Sequence, residues 1–414
     1  MTAQRHAPPS RRAFSYAPFR NLFFARLLTV LGNGIAPIAL AFAVLDMSGT
    51  ATELGIVVAA RSLFNVAFLL IGGVLADRYS RSMVLVSSSV VAALSQGLVA
   101  WLVLDGSATL TLLVVLGSIN GAAAGIALPA SSAMVPQTVP APVLREANAL
   151  IQLGIYGGTV IGASLGGMLT STTGPGWGLA VDALGFAASA PLYLLTRVAA
   201  QPAEGARSNI LQDLRDGWNE FIARSWVWAI VAQFAIVNAA FSGIVMVLGP
   251  VVADATFGRA NWGLIIAAQS IGLIVGSFIA LRWRPRRDLF IGVILTTLCA
   301  LPVALLSLLP SPALLMAAFL LAGTGFGLFG VAWAQSLQTH IPPDRLARVY
   351  AYDALGSFVA IPVGELAAGP LAATYGTSNV LLASATAIVI ATVAACFTPS
   401  IRQLENTPQV KSAS

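Results

Sequence analysis

Apolar residues run through this chain in blocks of about 20, and each block is long enough to cross a ~30 Å hydrocarbon core as a helix. Twelve blocks are read near residues 21–45, 53–76, 83–104, 109–134, 146–171, 177–196, 226–250, 261–281, 289–309, 312–336, 349–373 and 379–398. Short polar segments separate them, and one longer polar segment, 197–225, divides the set into two groups of six. Within that segment Asn209 to Phe221 reads as amphipathic, with Ile210, Leu211, Leu214, Trp218 and Phe221 against Asp213, Arg215, Asp216 and Glu220. It is expected to lie along the cytoplasmic surface as a tether.

The placement of arginine checks the number of crossings independently, because basic loops belong on the cytoplasmic side. Arg5, Arg11, Arg12 and Arg20 precede the first block, Arg78 and Arg81 follow the second, and Arg145 follows the fourth. Arg197, Arg207, Arg215 and Arg224 follow the sixth, Arg282, Arg284, Arg286 and Arg287 the eighth, Arg345 and Arg348 the tenth, and Arg402 with Lys411 the twelfth. After the odd-numbered blocks the only basic loop residue is Arg259. Both termini and the central segment are therefore expected in the cytoplasm. The organisation predicted is a tail over 1–20, a six-helix bundle over 21–196, a linker over 197–225, a second bundle over 226–398 and a tail over 399–414.

Composition agrees with a lipid solvent. Hydrophobic residues make up 57% of the 414 and charged ones 9%, against roughly 25% charged in soluble chains. The net charge of +6 sits in scattered short loops, which fits anionic headgroups and argues against nucleic acid. Cys299 and Cys396 lie within apolar blocks and point to no disulfide framework. The first residues hold no apolar signal-peptide core, so a cytoplasmic tail is expected. Trp101, Trp177, Trp226, Trp228 and Trp262 fall near block ends and are expected to anchor at the membrane interface.

The two groups repeat each other at a spacing of roughly 200 residues. Gly55-Ile56-Val57-Val58-Ala59-Ala60-Arg61-Ser62 returns as Gly263-Leu264-Ile265-Ile266-Ala267-Ala268-Gln269-Ser270. Val139-Pro140 with Leu144 and Gly154 returns as Ile341-Pro342 with Leu346 and Gly356, and Gly121/Gly125 returns as Gly323/Gly327. Six helices per copy give both copies one orientation, with the repeat axis along the membrane normal. The stretch Gly73-Val74-Leu75-Ala76-Asp77-Arg78-Tyr79-Ser80-Arg81 is read as a short charged loop between the second and third crossings, able to bind helix ends through charge.

Twelve spans in two repeated halves, with Gly73-x-Leu75-Ala76-Asp77-Arg78-x-x-Arg81 between the second and third, resemble the major facilitator superfamily over nearly the whole chain. Ser80 replaces the glycine usual in that pattern, and Ser82 a second basic residue. Gly158-x-x-x-Gly162-Ala163-x-x-Gly166-Gly167 is similar to the glycine-rich antiporter motif of the drug-exporting branches, with Ala163 where proline is usual. Phe24-Ala25-Arg26-Leu27, Gly32-Asn33, Asn148-Ala149-Leu150 and Val181-Asp182-Ala183-Leu184 resemble the twelve-helix drug:proton antiporter branch that includes macrolide and enterobactin efflux proteins. The resemblance implies an all-α inner-membrane carrier, monomeric and without cofactor, that exports a drug, siderophore or secondary metabolite against protons. It also implies that Gly73, Asp77, Arg78 and Arg81 latch helix ends in one access state. Import or uniport of a small solute is the alternative, and a non-transporting sensor the more remote one.

The residues themselves limit the chemistry. Lys411 is the only lysine and no phosphate-binding glycine loop precedes it; His6 and His340 are the only histidines and form no metal-hydrolase pattern. That leaves a carrier driven by a gradient, not an enzyme. Ionisable residues at membrane depth are Arg26, Arg61, Asp182, Asp353 and Glu365. Arg61 and Glu365 both lie about 12–14 Å below the outer surface at 1.5 Å per residue, and in the superfamily arrangement they would approach each other in one state. Asp182 is the competing proton site, although the peripheral place of the sixth span in the superfamily fold favours a structural hydrogen-bonding role. Asn33 is read as substrate contact or helix glue, and Arg26 as a snorkelling side chain unless the substrate is an anion. Gly158, Gly162, Gly166 and Gly167, with the Gly121/Gly125 and Gly323/Gly327 pairs, are read either as surfaces that slide between halves or as tight packing.

Overall fold

The computed structural model describes residues 13–196, 218–283 and 285–405 and is helical almost throughout. Twelve helices are long and apolar enough to cross a membrane, so this is a multi-pass membrane protein. They are α1 (Ala17–Ser48), α2 (Ala51–Arg78), α3 (Arg81–Asp105), α4 (Leu110–Thr138), α5 (Leu144–Thr172) and α6 (Pro175–Leu195). After the polar segment come α7 (Ser225–Ala255), α8 (Arg259–Arg282), α9 (Asp288–Leu308), α10 (Pro312–His340), α11 (Val349–Tyr375) and α12 (Thr377–Cys396). Most of the segment expected to be an amphipathic tether, and the outer parts of both tails, lie outside the described residues.

Helix starts follow local chemistry. The side chains of Thr50, Ser80 and Thr109 accept the backbone N–H groups of Glu53, Met83 and Leu112 and so cap α2, α3 and α4. Gly49, Gly106 and Gly376 follow or separate helices with φ between 70° and 85°. Irregularities track proline, which lacks the N–H that would bond four residues back. A π-turn at Ile244–Leu248 adjoins Pro250, a 3-10 turn at Thr296–Cys299 precedes Pro302, and α11 breaks between Phe358 and Ala360 ahead of Pro362.

The chain divides into two compact units. One holds the described residues up to Thr196 together with Gly258–Ala267; the other holds the rest. In the first, α1 packs on α5 and α6, α2 on α4, and α3 on α4 and α6. In the second, α7 packs on α11 and α12, and α9 on α10 and α12. The glycine motifs lie at the closest of these approaches. A Cβ on Gly166 would come 3.0 Å from Ile35 Cα of α1, and one on Gly162 would strike the Leu31 carbonyl. Gly121 and Gly125 abut the Arg61 and Asn65 carbonyls, while Gly323 and Gly327 abut those of Gln269 and Leu273. Gly158 faces Val30, and Gly167 faces Gly263 within the first unit. Each of these contacts lies within one unit.

Two expectations are corrected. The stretch from Gly73 to Arg78 is the last part of α2, and only Tyr79 and Ser80 stand between α2 and α3. Nothing before Tyr79 stops the helix, and the Ser80 hydroxyl starts the next one. Of the five tryptophans expected at the interface, Trp101, Trp177 and Trp228 are exposed, but Trp226 and Trp262 are buried, at 5% and 1% exposure. Trp226 packs edge-on against Trp333 at 5.6 Å, because its helix starts beneath the aromatic core of the second unit.

Before α7, residues 218–222 form one helical turn docked on the second unit. Glu220, 8% exposed, is bound by Arg224 and by Arg345 at 2.5 Å. Trp218 and Phe221 stack on each other and both meet Tyr352 of α11. Burial, and then the neighbouring Arg345, lowers the pKa of Arg224 from its ordinary value. The first unit has a counterpart before α1, where the Ala13 N–H donates to Glu146 of α5 at 3.2 Å.

Candidate functional site

A cavity of about 280 Å³ opens inside the first unit. Arg26, Thr29, Val30 and Asn33 reach it from α1 at the i, i+3, i+4, i+7 spacing of one helix face. Arg61 and Asn65 reach it from α2, one turn apart, and Ser88, Ser131 and Tyr193 add polar groups from α3, α4 and α6. Small residues on α4, among them Ala123, Ala124 and Ala127, leave the volume open.

Hydrogen bonds hold the polar wall in place. Arg61 donates through Nε to Asn120 Oδ1 at 3.1 Å and through Nη2 to Asn33 Oδ1 at 3.4 Å, so three helices share one guanidinium. Asn65 donates to the Gly121 carbonyl at 3.4 Å. Behind this wall Asp182 is fully buried and accepts from Gln96 Nε2 at 2.7 Å. Its other carboxylate oxygen has no hydrogen-bond partner and presses on α1 at Gly32, where any Cβ would overlap it. A fully buried carboxylate with one vacant acceptor therefore stands behind the cavity wall, which is costly unless it has a use.

The second unit places its ionisable residues differently. Ser242 of α7 donates to Glu365 Oε1 at 2.6 Å, and Glu365 is 2% exposed. The Gly243 and Gly364 backbones meet closely beside it, bringing α7 against α11. Asp353 accepts from Trp333 Nε1 at 2.9 Å and from Ser357 at 3.2 Å. Gln233 donates to Thr296 at 2.8 Å and Thr392 at 3.1 Å, joining α7, α9 and α12.

Of the residues singled out from sequence, Arg26, Asn33 and Arg61 thus line one cavity and Asp182 backs it. Glu365 and Asp353 each have partners within the second unit. In the α2–α3 corner, Arg81 donates to the Ala133 carbonyl of α4 at 2.8 Å. Arg78 is exposed, and a Cβ on Gly73 would meet nothing within 4 Å. The tight contact belongs to its neighbour, since a Cβ on Gly72 would lie 2.7 Å from Ile126 Cα. The Asp77 side chain lies outside the described residues. Sequence reasoning missed Asn65, Gln96, Asn120 and Gln233. The available signal was an amide inside an apolar run, which follows the same rule as an intramembrane charge at lower cost. Among the described residues no group of His, Cys, Asp or Glu is arranged to hold a metal.

The chain is similar to known proteins over most of its length. It is 25% identical over 404 residues to the multidrug efflux pump Tap of Mycolicibacterium fortuitum, covering 94% of this chain and 97% of Tap. It is 26% identical over 337 residues to the enterobactin exporter EntS of Escherichia coli, covering 81% of this chain and 80% of EntS. Among solved structures, the nucleoside transporter NupG matches with a TM-score of 0.70 at 15% identity, covering 94% of this chain and 99% of that one. A bacterial homolog of the human lysosomal transporter Spinster, inward-facing and unoccupied, matches with a TM-score of 0.72 at 15% identity, covering 96% and 98%. These structures share the fold. The family model of the Major Facilitator Superfamily matches residues 22–365, and the chain belongs to that family.

Proposed function

We propose that this protein is a secondary active transporter that exports a lipophilic or amphipathic small molecule in exchange for protons. The observation that carries the reading is the first-unit cavity, where two arginines and two amides face open volume while Asp182 sits buried behind the same wall. The similarity to an efflux pump and to a siderophore exporter supports the outward direction. On this reading the protein moves its substrate unchanged and needs no cofactor. It works as a monomer in the cell membrane with both termini cytoplasmic, and residues 21–196 and 226–398 act as the two bundles.

Asp182 and Glu365 are the proposed coupling carboxylates. Protonating Asp182 removes a buried negative charge behind the wall that carries Asn33, which changes the field in the cavity. Arg81 and Asp77 are proposed to hold the cytoplasmic ends of α2, α3 and α4, a role that the Arg81 bond to the Ala133 carbonyl supports.

Everted vesicles carrying the protein, with an acid interior and a panel of fluorescent amphiphiles outside, test the reading. Export appears as uptake into the vesicles that collapses when the proton gradient is dissipated. Co-movement with protons would make the protein an importer, and movement indifferent to the gradient a uniporter. Asp182→Asn and Glu365→Gln are expected to lower gradient-dependent uptake at least about tenfold at equal protein level, on the order of 1.4 kcal/mol of lost coupling. Asp77→Asn is expected to slow it with surface expression retained. Wild-type coupling in both carboxylate variants would remove these residues from the mechanism.

A further inference from the structure

The charge of the first-unit cavity is one-sided. Arg26 and Arg61 both line it, and among the described residues no acidic side chain does. Asp182 is fully buried behind α1 and already holds Gln96. Arg26 is different again. It sits about 14 Å along α1 from Ala17, partly buried, and among the described residues it has no carboxylate partner. The polar groups that line the cavity beside it are the Tyr193 phenol and Thr29. A guanidinium carries five donors in a planar fork and stays charged, so burying it without an acid costs free energy unless an anion completes it.

The rest of the cavity wall is largely apolar. Val30, Leu85, Leu128 and Phe186 line it together with the polar groups. Ser88 and Ala123, both buried, separate it from a groove of about 850 Å³ between α2, α3 and α4, where Phe64, Val91 and Ile119 are exposed as a lipid-facing surface. A positive polar pocket with apolar walls matches a molecule with one anionic group and a compact apolar body.

We infer that the exported compounds are amphipathic organic anions, whose carboxylate or equally compact anionic group binds Arg26 in the first-unit cavity while the apolar body lies against Leu85, Leu128 and Phe186 of the same cavity. This rests on the export reading above and adds the substrate class. Arg26 supplies the anion contact, and Arg61, already committed to Asn33 and Asn120, supplies field and shape. A cationic amphiphile of the same size is rejected, because it would place its charge against Arg26.

Three probes of one frame, naphthoate, naphthamide and naphthylmethylammonium, separate charge from shape. Binding is measured by titration calorimetry on the full-length protein in uncharged detergent. Wild type is expected to bind naphthoate about tenfold more tightly than naphthamide, the gain of a charge-assisted bond over a neutral one, and the ammonium least. Arg26→Gln should bring the naphthoate-to-naphthamide ratio to within about twofold, with a wild-type melting temperature and a single symmetric elution peak reporting that the variant is folded. Arg26→Lys should keep a clear preference for the anion. Equal binding of naphthoate and naphthamide by wild type would overturn the inference, as would a tenfold preference that survives Arg26→Gln. Displacement of naphthoate by phosphatidylglycerol but not phosphatidylcholine would give the site to a lipid headgroup and overturn the substrate assignment. The vesicle assay separates the two proposals. Gradient-driven movement of neutral or cationic amphiphiles only would leave export standing and remove the anion class. An Arg26-dependent anion preference without any gradient-driven movement would leave the anion site and remove export.

Discussion

Glycines 72 and 73 are adjacent in α2, yet they face different neighbours. The Cβ of an alanine at 72 would lie 2.7 Å from Ile126 Cα and 2.9 Å from the Gly125 carbonyl, while one at 73 would meet nothing within 4 Å. Gly72→Ala is therefore expected to destabilise the protein by about 1–3 kcal/mol through backbone displacement. Gly73→Ala should be close to neutral or slightly stabilising, since alanine is the better helix former. Thermal melting of the two variants in detergent checks this, and equal melting temperatures would refute the packing difference. The sequence motif highlights Gly73, but which of two glycines touches a neighbour depends on the rotation of α2 against α4. Arg26, Asn33, Arg61 and Asp182 stood out in the sequence as charged or amide groups in apolar runs. Their gathering around one cavity did not, because they come from α1, α2 and α6.

Helices here start at capping hydroxyls and stop at glycine or ahead of proline, so element boundaries were largely readable along the chain. The exceptions were tertiary. The charged corner continues α2 because only Ser80 provides a start signal and no earlier residue provides a stop. The turn at 218–222 is held by the Glu220 ion cluster and by Tyr352, neither of which is local. Glu220→Gln should weaken both arginine contacts. With Arg345 half exposed, the expected loss is about 1 kcal/mol, seen as a melting temperature lower by a few degrees and as faster proteolysis of the central segment. An unchanged cleavage rate would mean the cluster does not anchor that segment. Pro362→Ala restores the N–H missing just past the break in α11, which can bond back to the Phe358 carbonyl, and should join its two halves. Hydrogen exchange around Phe358 should then slow, and no change there would assign the break to packing instead of proline.

For the whole molecule, the arginine alternation is a strong statement about sidedness. Single cysteines placed at Ser10 and Ser412 are expected to react with a membrane-impermeant maleimide only after the cells are opened, and one at Ser107 in intact cells. Labelling of either terminus in intact cells would reverse the scheme and with it the direction of export. What the sequence alone determined is the number of crossings, their approximate limits, the repeat and the family. These follow from the length of apolar runs and the loop charges, which are set residue by residue because lipid cannot satisfy a broken backbone or a stray charge. What only the tertiary structure decided is which faces meet. Arg26 and Arg61 share a cavity, Asp182 lies behind its wall, and Glu365 pairs with Ser242 because helix rotation and the close approach of small residues bring distant positions together. No periodicity within a uniformly apolar helix encodes that rotation, since neither side of it is marked by water.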